Sequence, residues 1–260
     1  MEKLPARTGW LWIRQGFDLF RKQPGAMSTL FLGYMLAMLG LGLLPLLGQI
    51  LPVLLVPVFS MAFLQACLRI EHGERILPNL LLSGFRKPVL NPLLGLGALY
   101  LLTALLAIGA SALVDGGVFW QLITGHIDPK SAAVRESNIG AAILLTAALY
   151  VPAGMGFCFA APLICWQKMS LGKAIFFSFF AVLRSVKAFL MFAGGWFCIS
   201  LISSQLVLLV FGRGDLAMTA MLPLSMMLTI VLHCSFYAAY RQIFGVPGKA
   251  AAVSLDKPGA

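Results

Sequence analysis

At 260 residues, 60% hydrophobic and 11% charged, with a mean hydropathy of +0.93, the chain is too apolar for a domain surrounded by water. Such domains usually run at roughly 45–50% apolar and about 25% charged residues, and one of this make-up would expose large apolar patches. The formal net charge of +10 is spread over short segments and forms no folded basic domain, which excludes nucleic-acid binding and points to anionic headgroups.

The first element is an amphipathic segment, 8–22. Wound at about 100° per residue, it places Trp10, Trp12, Ile13, Phe17, Leu19 and Phe20 on one half and Arg14, Asp18, Arg21 and Lys22 on the other, with Leu11 out of place. Aromatic residues opposite Arg and Lys predict a helix lying in the headgroup plane, ended by Pro24. No short apolar core with a small-residue cleavage site is evident, so the first apolar run is expected to stay as an anchor. That run, 26–47, and the next, 49–68, each reach the roughly 20 residues needed to cross a hydrocarbon core. Pro45, Gly48 and Pro52 mark the tight link between them.

A second interfacial segment, 75–88, repeats a phrase of the first. GFDLFRKQP at 16–24 and SGFRKPVLNP at 83–92 both set Gly-Phe before a basic pair and then enter a long apolar stretch. The third span, 92–114, leads to the longest loop, where Trp120 and Phe119 are expected to dip into the outer interface. The fourth span covers 139–166. The third interfacial segment, 172–184, holds ten uncharged residues, nine of them apolar, between Lys173 and Arg184, too few to span, and reads as interfacial or re-entrant. Spans at 188–211 and 216–240 complete the set. Continuous apolar runs without alternation favour helices over barrel strands.

None of the six spans contains Asp, Glu, Lys or Arg, and sixteen of the nineteen Lys and Arg fall on one side of them; Lys130, Arg135 and Arg213 make up the other side. Asp and Glu show no such bias. This asymmetry predicts both termini in the cytoplasm. Spans two, four and six each carry an apolar residue followed by a proline (Pro52, Pro152, Pro223), and at similar distance after it a basic residue (Arg69, Lys168, Arg241) and a glycine (Gly73, Gly172, Gly245). The expected fold is therefore an all-α polytopic membrane protein. Its six transmembrane helices form three tandem hairpins, with amphipathic interfacial helices on the cytoplasmic face.

Few residues suggest chemistry. His233 is the one histidine inside a span, and either serves a function at depth or hydrogen-bonds across helices. Gln49, Gln65 and Gln205 could line a polar path or bridge helices, with Gln49 expected at the outer surface. The glycines at 194–195 and in LGLGALY suit close helix packing. His126, Asp128 and Asp115 in the outer loop form a poor metal set. The five cysteines (Cys67, Cys158, Cys165, Cys198 and Cys234) are scattered through apolar runs, which argues against a disulfide framework or a zinc site. No HExxH, GxSxG or phosphate loop occurs, so no catalytic residue, metal or cofactor is expected. The missing carboxylate at depth also disfavours an ion-coupled pump.

GW…GFDLFRKQP, the LLPLLG turn, PVFSMAF, C-x-x-x-E-H-G-E and GFRK together resemble an uncharacterised family of proteobacterial inner-membrane proteins. More distantly, the layout is similar to the membrane domain attached to some glycerophosphodiester phosphodiesterases. The catalytic partner of that domain is missing here, so the likeness implies no phosphodiesterase activity. The resemblance implies a multi-pass bacterial inner-membrane protein and transfers no functional residue. The expectation is a non-enzymatic, lipid-interacting or accessory protein, with a permease or lipid translocator as the alternative. Arg14, Arg21, Lys22, Arg86, Lys87, Arg184 and Lys187 are the candidate anionic-lipid contacts. Homo-oligomers or other membrane proteins stay open as partners.

Overall fold

The computed structural model describes residues 4–247 apart from 46, 49, 129 and 213. Gln49, Arg213, Lys3, Lys249 and Lys257 therefore lie outside the described residues. The described chain is helical throughout. In order it forms α1 (Arg7–Lys22), α2 (Pro24–Gly42), α3 (Ile50–Glu71), a 3₁₀ segment (Pro78–Phe85) and α4 (Leu90–Asp115). Then come α5 (Val118–Ile123), α6 (Ala132–Glu136), α7 (Ile139–Phe157), α8 (Ala160–Gln167), α9 (Leu171–Arg184), α10 (Val186–Phe211) and α11 (Asp215–Phe244). Six stretches are long and apolar enough to cross a membrane: α2, α3, α4, α7 with α8, α10 and α11. Their outer faces carry exposed Leu36, Leu106, Leu144, Leu209 and Leu222, as suits helices surrounded by lipid. In α3 56% of the span is buried, against 6–22% in the others, so α3 is the central helix.

Local chemistry explains the boundaries. Arg21 and Lys22 occupy the last turn of α1, where cations suit the helix dipole. Gln23 then leaves helical geometry, and Pro24 starts α2 at a position that needs no N–H. The Gln23 side chain donates to Glu74 O (2.7 Å) and accepts from Ile76 N–H (3.3 Å), pinning the α1–α2 joint to the start of the second segment. That segment departs from the expected amphipathic helix over 75–88. It runs extended and then as the 3₁₀ turns Pro78–Phe85, because Pro78 and Pro88 bracket too few residues to settle into an α-helix.

The fourth span is interrupted, contrary to the single run expected over 139–166. Pro162 offers no N–H to the Cys158 carbonyl, and its ring crowds that group, so the helix breaks at Cys158 and Phe159. Ser178 of α9 enters the gap: its hydroxyl accepts from Phe159 N–H (2.9 Å) and donates to Met155 O (2.8 Å). Phe159, fully buried, packs its ring against Phe189, Phe236, Tyr240 and Phe244.

Three hydrogen-bonded pairs gather four helix ends at one end of the bundle. Trp12 Nε1–H donates to Gln242 Oε1 (2.7 Å). Arg241 pairs with Glu71, and Gln167 Nε2–H donates to the Tyr240 hydroxyl (3.3 Å). The first half of α1 thus meets the end of α11.

The 3₁₀ segment packs on the pair of spans before it (α3 and α2), α9 on the two halves of the interrupted fourth span (α7 and α8), and α1 on the last pair of spans (α11 and α10). This revises what the apolar face of α1 is for. Trp12, Ile13, Gly16 and Leu19 are buried against protein, Phe17 stacks on Trp196, and Trp10 is 48% exposed. A Cβ on Gly16 would stand 2.8 Å from Ser235 N, and one on Gly84 of the 3₁₀ segment 2.6 Å from Val58 O. The repeated Gly-Phe therefore marks the points where each segment backs directly onto a spanning helix.

Candidate functional site

Two regions combine polar groups with accessible surface: a cavity within the spans and the end of the bundle where α1, α3 and α11 meet.

The cavity, about 600 Å³, lies between α3, α4, α7–α8 and α11. Its walls are mainly apolar, and no Asp, Glu, Lys or Arg lines it. The polar groups are Ser60, Tyr100, Thr103, Tyr150 and His233. Val56 and Tyr150 are exposed at 37% and 44%, so the mouth opens on the outer surface of the bundle. Ser60 O–H donates to Pro57 O (2.9 Å) and Thr103 O–H to Leu99 O (2.8 Å). His233 Nδ1 lies 2.8 Å from Thr229 O. Its ring packs on Phe63 with centroids 4.6 Å apart.

His233, Gln65 and Gln205 are not brought together. His233 lines the cavity, whereas Gln65 is fully buried and accepts from Trp166 Nε1–H (3.0 Å), bridging α3 to α8. Gln205 is exposed on the surface of α10. Each of the three belongs to a different packing environment. Of the glycines noted for close packing, Gly97 abuts the Leu54 backbone and Gly195 meets Ile13, while Gly194 faces open space.

At the end of the bundle, Glu71 accepts from both the Tyr237 hydroxyl and the Arg241 guanidinium. Arg241 also donates to Gln15 Oε1 (3.2 Å). This network joins α1, α3 and α11. One to two turns deeper, the buried thiols of Cys67 and Cys234 lie 3.6 Å apart. Around this end Arg14, Arg21, Lys22, Lys87, Arg184 and Lys187 are exposed, and Arg86 is half-buried. Glu71 and Arg241 escape sequence reading because each looks like an ordinary flanking charge. Ser178 escapes it because it stands where the other two segments have Gly before Phe.

In the loop between α4 and α7 the candidate ligands act as local caps. Asp115 accepts from Gly117 N–H (2.9 Å) and Phe119 N–H (2.6 Å), Asp128 accepts from Lys130 N–H (2.7 Å), and His126 Nδ1 sits 2.8 Å from Thr124 Oγ1. Among the described residues no three His, Cys, Asp or Glu side chains cluster to hold a metal.

No family model matches the chain, and no solved structure matches it. A protein of Burkholderia thailandensis named a "probable inner membrane protein" is 38% identical over 254 residues, covering 94% of this chain and 93% of that one. With that identity running along nearly the whole of both chains, and with six helices fit to cross a membrane, the chain belongs to the family of this inner membrane protein, as a multi-pass helical member.

Proposed function

We propose that the chain is a non-enzymatic integral protein of the bacterial inner membrane, with both termini in the cytoplasm, that engages anionic lipid headgroups. The observation carrying this reading is the basic rim: six exposed Lys and Arg side chains on or beside α1, the 3₁₀ segment and α9. Each contributes about 1 kcal/mol next to an anionic surface. The Lys/Arg bias across the spans supports the cytoplasmic placement of that rim. Packing of the 3₁₀ segment on α2 and α3, of α9 on the interrupted fourth span and of α1 on α10 and α11 supports a reading as three tandem units. The layout likeness to the phosphodiesterase-associated membrane domain belongs to this proposal and adds no catalysis.

Native mass spectrometry of the full chain in mild detergent tests the proposal. Phosphatidylglycerol or cardiolipin is expected to stay bound, and to be lost when Arg21, Lys22, Arg184 and Lys187 are replaced by Gln. A chain stripped of anionic lipid in the wild type removes the reading. A translocator is the second reading, favoured by the cavity between spans and the helix break beside it. Substrate-dependent flux into proteoliposomes is its test.

A further inference from the structure

We infer that the cavity between α3, α4, α7–α8 and α11 is a site for one neutral, hydroxyl-bearing lipid, a long-chain alcohol or a diglyceride, held by hydrogen bonds that the lipid donates. This deepens the lipid-binding reading but rests on residues separate from the basic rim.

What the walls can recognise follows from where their protons already go. Ser60 and Thr103 direct their hydroxyl protons to the carbonyls of Pro57 and Leu99 in their own helices. Both oxygens keep lone pairs. A carbonyl can only accept, so His233 Nδ1 beside Thr229 O carries the ring proton. The neutral ring then offers Nε2 as an acceptor. Against these three acceptors, only the Tyr100 and Tyr150 hydroxyls can donate, and Tyr100 lies 3.5 Å from Phe157 O.

Such walls select by complementarity. A carboxylate or phosphate would bring further lone pairs and a charge to a site without Lys or Arg. An ammonium group would find donor-hungry oxygens but no carboxylate to neutralise it. A plain hydrocarbon fits the apolar surface but brings no donor to the Ser60, Thr103 and His233 acceptors. A hydroxyl on an apolar chain meets both demands. The volume of about 600 Å³ falls within the roughly 300–1,000 Å³ of small-ligand sites. The mouth at Val56 and Tyr150 lets such a lipid enter from the bilayer.

The test uses the full chain in phosphatidylcholine nanodiscs, equilibrated with radiolabelled 1-hexadecanol or palmitate at neutral pH. One hexadecanol per chain is expected, displaced by dioleoylglycerol, with palmitate at least about tenfold weaker because its charge must be buried. Gly154 lines the cavity and has nothing within 4 Å of a built Cβ, so Gly154→Leu can start a bulky side chain from the cavity wall without a backbone clash at Cβ. It should lower hexadecanol binding about tenfold or more while keeping the melting temperature, leucine being the better helix former. His233→Phe keeps the ring on Phe63 and removes Nε2, for a loss of about fivefold. Ser60→Ala should cost a further factor of about three by the same logic. Equal binding of palmitate, absence of hexadecanol binding, or wild-type binding in both Gly154→Leu and His233→Phe overturns the site. Retained anionic phospholipid without hexadecanol leaves the rim reading standing and this one refuted; the converse result refutes the rim alone.

Discussion

Phe159 gives its backbone N–H to the hydroxyl of Ser178 (2.9 Å), and that hydroxyl passes its own proton to Met155 O (2.8 Å). The pair of groups four residues apart that a continuous helix would join is bridged by a side chain from another helix. A break in a spanning helix is tolerated where its backbone groups find such partners. Ser178→Ala should therefore destabilise the protein by about 1–3 kcal/mol through the two orphaned backbone groups. Thermal melting in detergent checks this, and a midpoint equal to wild type would mean that the hydroxyl does not hold the break open.

Close approach at glycine makes a second expectation. Gly16→Ala and Gly84→Ala would each push a Cβ into the backbone of a spanning helix, at Ser235 and Val58 respectively. Overpacking of this kind costs about 1–3 kcal/mol. Gly194→Ala, in α10 with nothing within 4 Å, should instead stabilise by a few tenths to about 1 kcal/mol. Melting of the three single variants side by side separates packing from helix propensity.

The Glu71–Arg241 pair is a third case. Glu71→Gln keeps the shape but leaves Arg241 without its counter-charge. With the Arg241 and Glu71 side chains 34% and 22% exposed, solvent screens part of the effect, so a loss of about 1–2 kcal/mol is expected. A double-mutant cycle with Arg241→Gln should show a favourable coupling of about 1 kcal/mol. No coupling would reduce the pair to a surface contact. Loss of the pair should also loosen α1, read as faster amide exchange over 7–22.

The proposed orientation is open to labelling. In a cysteine-free background, single cysteines can replace the exposed Lys130 and Lys173, which flank the fourth span, α7 with α8. Lys130→Cys should react with an impermeant maleimide on intact cells, and Lys173→Cys only after permeabilisation. Labelling of both on intact cells would refute the orientation.

The number of spans and the bias in their flanking charges are readable from the chain alone, because crossing a bilayer is decided segment by segment. Roughly 20 apolar residues and no charge suffice, whatever the rest of the chain does. The amphipathic character of α1 is likewise visible in its spacing. What its apolar face touches is not, since Trp12, Ile13 and Leu19 would satisfy lipid as readily as α10 and α11. Helix association within a bilayer has little hydrophobic drive and is settled by shape and a few hydrogen bonds. Those are supplied here by Gly16 on Ser235, Gly84 on Val58 and the Ser178 hydroxyl inside the α7–α8 break. The cavity is decided in the same way. His233 stands out in the sequence as a polar residue at depth, but its neighbours Ser60, Tyr100 and Thr103 come from other spans. Only the crossing of four helices makes them one wall.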